Sequence, residues 1–285
     1  MPAKTKLIVG FHVSTSESID LANDRAKEIG CSAFQIFTRN PQGWKYKELL
    51  DETAENFRAK FKEFGFKSCV AHMPYLPNIA SSEKAIYHQS VKSLTAELER
   101  CTKLSIPYVV THMGSHKGRG IEKGLKQLTN ACNQALSKTN HGPILLLENM
   151  AGQTNSVGSK FENIQSALNG INESGRVGVC FDTCHAFAAG YDLSSEEAVD
   201  ETLDTIEETI GLSRVRVVHI NDSKGSLASH LDRHEHIGLG SIGEAGFRAF
   251  LKNKRVRDLP LIMETPDDER RDDRTNLKTV LRLAR

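Results

Sequence analysis

Residues 179–187 read VCFDTCHAF, an apolar run that ends abruptly in an acid, a thiol and an imidazole. The run lacks the polar alternation of a half-exposed strand, and so has the pattern of a parallel strand covered on both faces. Charge set at the end of such a strand is costly unless something meets it. The fold and the chemistry both turn on what meets Asp182 and His185.

Seven further runs of the same kind lie along the chain: LIVGFHV (7–13), SAFQIFT (32–38), SCVAHM (68–73), YVVTHM (108–113), ILLLENM (144–150), VRVVHIN (215–221) and PLIMET (260–265). The run quoted above begins at VGVCFDT (177–183). Between the runs lie amphipathic stretches with helical spacing, such as SIDLANDRAKEIG and SVKSLTAELERCTKL, and the last segment is NLKTVLRLAR. Gly30, Gly65, Gly211 and Pro107 provide the stops. Eight strands alternating with eight helical segments predict an α/β protein, a single (β/α)₈ TIM barrel spanning residues 1–285. An open doubly wound sheet is the alternative, but no GxGxxG or Walker loop follows any strand. One connection, residues 221–240 (NDSKGSLASHLDRHEHIGLG), is long enough to be read as functional.

Composition narrows the classes. Of the 285 residues, 39% are hydrophobic and 26% charged, as in ordinary globular proteins. The formal net charge of +1 demands no polyanionic partner, so nucleic-acid binding would have to rest on locally placed charge. The opening MPAKTKLIVGFHV lacks a leader peptide's long apolar core and cleavage site, so none is expected. No run approaches the ~20 apolar residues of a membrane span. The six cysteines are scattered without a CxxC pair. They read as buried packing residues of a reduced, cytoplasmic protein.

In a barrel of this kind the reactive groups gather where the strands end. Those ends carry His12, His72, His112, Glu148, Asp182 with His185, His219 and Glu264, and the long loop adds Asp232 and His234. One such histidine, His12 for instance, reads as a structural residue. Closure of the barrel brings the rest to one face, where four carboxylates and five imidazoles are costly without cations. Mixed His and carboxylate ligation suits zinc, with manganese or iron as alternatives, and disfavours magnesium and calcium. Nine ligands call for two or three ions. Cys180 and Cys184 are read as packing residues.

The segments HMPY (72–75), THMGSH (111–116), LENMAGQ (147–153), VCFDTCHAFAAGYD (179–192), HINDSK (219–224), DRHEHIGLGSIG (232–243) and METP (263–266) resemble the endonuclease IV family of apurinic/apyrimidinic endonucleases. The match runs from His12 to Glu264. The resemblance implies a TIM barrel with three zinc ions, and the ligand chemistry leaves manganese as a partial substitute. His72, His112 and Glu148 would hold the first ion. Glu148 would bridge to a second, held also by Asp182, His219 and Glu264, and His185, Asp232 and His234 would hold the third. Asp182 and His185 are then met by two different ions.

The implied activity is hydrolysis of the phosphodiester 5′ to an abasic site, leaving a 3′-hydroxyl and a 5′-deoxyribose phosphate, with trimming of blocked 3′ ends. Multinuclear zinc activates water and neutralises developing charge, and Glu148 is the candidate to accept the nucleophile's proton. The expected partner is double-stranded DNA, bound by a cytoplasmic monomer (at the nucleoid, in a prokaryote) that flips the abasic nucleotide out. The loops offer Arg39, Gln42, Trp44 and Lys45, then Tyr75, Lys117 and Arg119, then Lys160, Lys224 and Arg233 as DNA contacts. Gln42 stands where relatives often insert arginine into the DNA stack, and Tyr75 matches the other inserting residue. Two rival readings are a metal-dependent sugar isomerase or epimerase on the same barrel, and a non-catalytic DNA-damage binding protein. The first has no use for the DRHEH loop or His185, and the second would show a lost ligand.

Overall fold

Each of the eight apolar runs forms a strand in the computed structural model, which describes residues 7–139 and 141–285. The opening residues read as lacking a leader lie partly outside them. The strands are β1 (Val9–Phe11), β2 (Ala33–Ile36), β3 (Ser68–His72), β4 (Tyr108–His112), β5 (Ile144–Glu148), β6 (Val177–Asp182), β7 (Val215–His219) and β10 (Leu261–Met263). They pair in the order β1-β10-β7-β6-β5-β4-β3-β2, parallel throughout. A parallel bridge between His12 and Gln35 joins β1 to β2 and brings the ends of the sheet together. Across that seam a Cβ on Gly10 would lie 1.7 Å from the Ala33 carbonyl oxygen, so only glycine lets the two strands meet.

The strands are apolar on both faces because both are buried. Outward residues such as Phe34, Val109, Leu145, Leu147, Val179 and Phe181 join the layer beneath the helices. Inward residues Ala33, Val70, Val110, Leu146, Cys180, Val217 and Ile262 form a separate cluster that plugs the barrel. A one-residue irregularity keeps β6 and β7 in phase. Val179 faces Val215, but Cys180 faces Val217, so Arg216 is bulged out to solvent. The bulge sets Asp182 opposite His219 on the inner face.

Helices α1 (Leu21–Ile29), α2 (Asp51–Phe64), α3 (Lys84–Leu104), α4 (Ile121–Leu136), α5 (Phe161–Gly170), α7 (Glu196–Thr209), α8 (Gly243–Lys252) and α9 (Asp273–Leu283) cover the outside. Gly30 and Gly65 end α1 and α2 in left-handed conformations, as their sequence positions predict. One helix was not expected: α6 (Thr183–Ala189) follows β6 without a loop. Asp182 caps it, its carboxylate accepting the His185 main-chain N–H at 2.8 Å. No helix among the described residues is long and apolar enough to cross a membrane.

The long connection after β7 is pinned at both ends. Its arms pair as a short antiparallel ribbon, β8 (Asp222–Ser223) with β9 (His234–Glu235). The buried Asp222 carboxylate accepts the main-chain N–H groups of Gly238 and Gly240, both at 2.9 Å, and of Ile242 at 3.0 Å. This holds Asp232 and His234 over the barrel mouth.

Candidate metal centre

Side chains on a strand return to the same face every second residue. Two residues beyond each member of the apolar plug stand Gln35, His72, His112, Glu148, Asp182, His219 and Glu264, and two beyond Gly10 stands His12. The polar layer is therefore the next inward layer of the barrel, floored by hydrocarbon. His185 enters from the first turn of α6, and Asp232 and His234 from the long loop.

The nine expected ligands fall into three groups whose donor atoms lie within 4.8 Å of one another: His72, His112 and Glu148; Glu148, Asp182, His219 and Glu264; His185, Asp232 and His234. The Glu148 carboxylate is divided between the first two. Its Oε2 lies 3.2 Å from His72 Nε2 and 3.3 Å from His112 Nε2, while Oε1 lies 2.9 Å from His219 Nδ1. His219 Nδ1 is also 3.3 Å from Glu264 Oε2. In the third group Asp232 Oδ1 is 3.2 Å from His185 Nε2 and 3.6 Å from His234 Nε2.

Three of the five ligand imidazoles are held so that Nε2 faces the centre. His72 Nδ1 donates to the Met73 carbonyl at 2.7 Å, His185 Nδ1 to that of Asn149 at 2.9 Å, and His234 Nδ1 to that of Glu264 at 3.1 Å. Each bond leaves Nε2 as the lone-pair donor, the arrangement that metal-ligating histidines use. Asn149 and Asn221, which the sequence reading passed over, brace Asp182. Asn149 Nδ2 donates to the Asp182 carbonyl at 3.0 Å while its Oδ1 accepts the Asp182 main-chain N–H at 2.7 Å, and Asn221 Nδ2 donates to Asp182 Oδ2 at 2.7 Å. Gln35, which carries no titratable signal in the sequence, lies among His12, His219 and Glu264.

Two features test whether cations fit here. His185 Nε2 and His234 Nε2 are buried and make no well-aligned hydrogen bond, with Asp232 Oδ1 beside them at 3.2 and 3.6 Å, and polar atoms buried in that way are costly unless a cation joins them. The donor set, imidazole nitrogens with carboxylate oxygens, is the mixture zinc takes. The residues fit. Cys180 Sγ also lies near Glu148 and His219, but burial pushes its thiol up to about 12 and it belongs to the apolar plug.

Electrostatics point the same way. Burial alone would raise Glu148, yet the His219 and His112 imidazoles outweigh it and hold the carboxyl well below its usual range. Burial opposes charge on His185 too, but Asp182 and Asp232 push that imidazole up to about 10. The anionic centre thus recruits positive charge from whatever is at hand, protons included.

A family model described as a xylose isomerase-like TIM barrel matches residues 24–285. The protein named probable endonuclease 4 of Methanoculleus marisnigri is 54% identical over 279 residues, covering 98% of this chain and 99% of that protein. The chain belongs to the endonuclease IV family. The probable endonuclease 4 of Nitrosopumilus maritimus is 47% identical, covering 97% of this chain and 99% of its own. The crystal structure of endonuclease IV from Thermus thermophilus superposes with a TM-score of 0.86 at 35% identity, covering 96% of this chain and 98% of that one. A D-tagatose 3-epimerase-like protein superposes at 0.73 with 20% identity, which shows a common fold alone. The chain is an endonuclease IV-type enzyme.

On this endonuclease IV barrel most of the residues expected to meet DNA are exposed on the loops that follow the strands. Gln42, Lys45, Tyr75, Lys117, Arg119, Lys160, Lys224 and Arg233 are exposed and Trp44 is half-buried. Tyr75 is 62% exposed and stands edge-on to Phe37, whose ring in turn meets His72. Arg39 is a correction. Its guanidinium is buried, bonding Glu97 Oε2 at 2.9 Å and Ser93, and it offers no free charge to a phosphate. It anchors the loop bearing Gln42 and Trp44 to α3. Glu97→Ala would leave a buried cation unpaired, at a cost of about 3–5 kcal/mol. Denaturant titration should show that loss at unchanged slope, and a loss no larger than for an exposed ion pair would contradict it.

Proposed function

We propose that this enzyme cleaves double-stranded DNA on the 5′ side of an abasic site, leaving a 3′-hydroxyl and a 5′-deoxyribose phosphate, and trims blocked 3′ ends. It would do so as a cytoplasmic monomer loaded with three zinc ions, manganese substituting in part. The observation that carries this reading is the Glu148 carboxylate, shared oxygen by oxygen between two ligand groups with a third beside them. The names of the relatives support it. His72, His112 and Glu148 would hold the first ion, Glu148, Asp182, His219 and Glu264 the second, and His185, Asp232 and His234 the third. Such ions, when bound, acidify water and neutralise charge on a phosphate undergoing in-line displacement.

The chain supplies position and a base. Glu148 Oε1 and Oε2 sit at the centre of the site, where a carboxylate takes the proton of the attacking water. The apolar plug beneath keeps bulk water from entering through the barrel. Around the mouth Lys224, Arg233, Lys117 and Arg119 would meet phosphates, which reconciles DNA binding with near-zero net charge. Tyr75 and Gln42 would enter the helix at the lesion.

Elemental analysis of gently purified protein should find three ions per chain, chiefly zinc. A single ion, or magnesium in its place, would contradict the ligand assignment. The epimerase alternative is separated by turnover of a ketose, which should be absent. Tyr75→Ala should weaken binding to an abasic duplex by ~1–3 kcal/mol with zinc content intact. Gln42→Arg should tighten binding and steepen its salt dependence by about one phosphate. An unchanged salt slope for Gln42→Arg would mean that this loop does not approach DNA.

A further inference from the structure

We propose that Gln35 is a positioning residue for the metal centre, fixing His219 and Glu264 in the orientations that let both serve one ion. The inference rests on the metal-centre reading above. Strand β2 supplies none of the nine ligands, yet its inward residue at ligand level, Gln35, is wholly buried and uses both ends of its amide on ligands. Its Oε1 accepts from His219 Nε2 at 2.8 Å, and its Nε2 donates to Glu264 Oε1 at 2.7 Å and to His12 Nδ1 at 3.0 Å. The Glu264 carboxylate sets the amide's sense, because the reversed amide would turn oxygen against oxygen.

His219 stands apart from His72, His185 and His234. Those three are oriented by main-chain carbonyls, which any side-chain substitution leaves in place. His219 is instead turned round, with Nδ1 toward Glu148 and Glu264, and the group holding its Nε2 proton is a side chain from across the barrel mouth. Without that acceptor the ring is free to move its proton to Nδ1, where it would block the ligating lone pair. Gln35 also occupies Oε1 of Glu264, leaving Oε2, 3.3 Å from His219 Nδ1, as the free oxygen. Both effects converge on one ligand group, the one formed by Glu148, Asp182, His219 and Glu264.

The test is competition between the protein, stripped of metal, and a chelating dye for Zn²⁺, with Co²⁺ as a spectroscopic probe. Gln35→Met keeps the length and removes both hydrogen-bonding ends. One Zn²⁺ equivalent should weaken by about 10–100-fold while the others hold, the usual effect of removing a ligand's supporting bond. The visible spectrum of the Co²⁺ form should shift, which a residue serving only to stabilise the barrel would not cause. Gln35→Glu keeps an acceptor for His219 but loses the donor to Glu264, so its Zn²⁺ loss should be smaller than that of Gln35→Met. If Gln35→Met does not fold, weakened Zn²⁺ binding by Gln35→Glu still supports the assignment. Zn²⁺ affinities within about twofold of wild type in the folded variants would overturn it. A wild-type protein that binds Zn²⁺ but leaves abasic DNA intact would remove the nuclease reading and leave Gln35's role standing.

Discussion

Stripping the bound ions should abolish cleavage, with a loss of about 10³-fold or more, because the charge stabilisation a metal gives a phosphoryl transition state is worth several kcal/mol. The loss should reverse on adding zinc and should not reverse with magnesium, whose preference for oxygen leaves five imidazoles unused. Protons compete for the same nitrogens. In the metal-free protein the Asp182 and Asp232 carboxylates, against the opposing effect of burial, push His185 up to about 10. An ion entering that group must expel a proton, so zinc reloading should tighten with rising pH up to about 10. Single-turnover nicking of an abasic duplex after dialysis against chelator, with stepwise readdition of zinc, measures both effects. Full activity in metal-free protein would contradict the metal-dependent reading.

Replacing Glu148 by glutamine should slow nicking by about 10²–10⁴-fold, the range for a lost general base. The substitution preserves size but removes the charge that two ligand groups share through Oε1 and Oε2. Abasic DNA should still bind, and with one negative charge fewer at the mouth it should bind no more weakly. Binding and single-turnover rate are to be measured on one preparation of known zinc content. Cleavage within about tenfold of wild type would take Glu148 out of the chemistry, and loss of both binding and zinc would assign it a structural role.

Much of this centre is legible in the sequence because a barrel turns strand position into spatial position. Val70 and His72, Val110 and His112, and Leu146 and Glu148 repeat one pattern, an apolar plug residue followed two positions later by a ligand. The read strand ends therefore converge on one face. Gln35 obeys the same spacing after Ala33, but it carries no charge, and a search for titratable ends passes over it. Asn149 and Asn221 are hidden for a related reason, as amides beside ligands look like ordinary loop polarity until their partners are in place. Arg39 shows the opposite failure. A loop arginine next to an expected DNA contact reads as a surface charge, but its partner Glu97 is 58 residues away on α3, beyond any local pattern. The short helix α6 is not legible because its cap, Asp182, also reads as a strand end.

The most direct test uses a labelled duplex with one tetrahydrofuran abasic analogue, incubated with the zinc-loaded wild-type protein. The account predicts a single nick immediately 5′ of the analogue, with a 3′-hydroxyl that a polymerase extends and no nick in the same duplex carrying an ordinary base. An intact abasic duplex in the presence of fully zinc-loaded protein, or a nick on the 3′ side of the lesion, would contradict it.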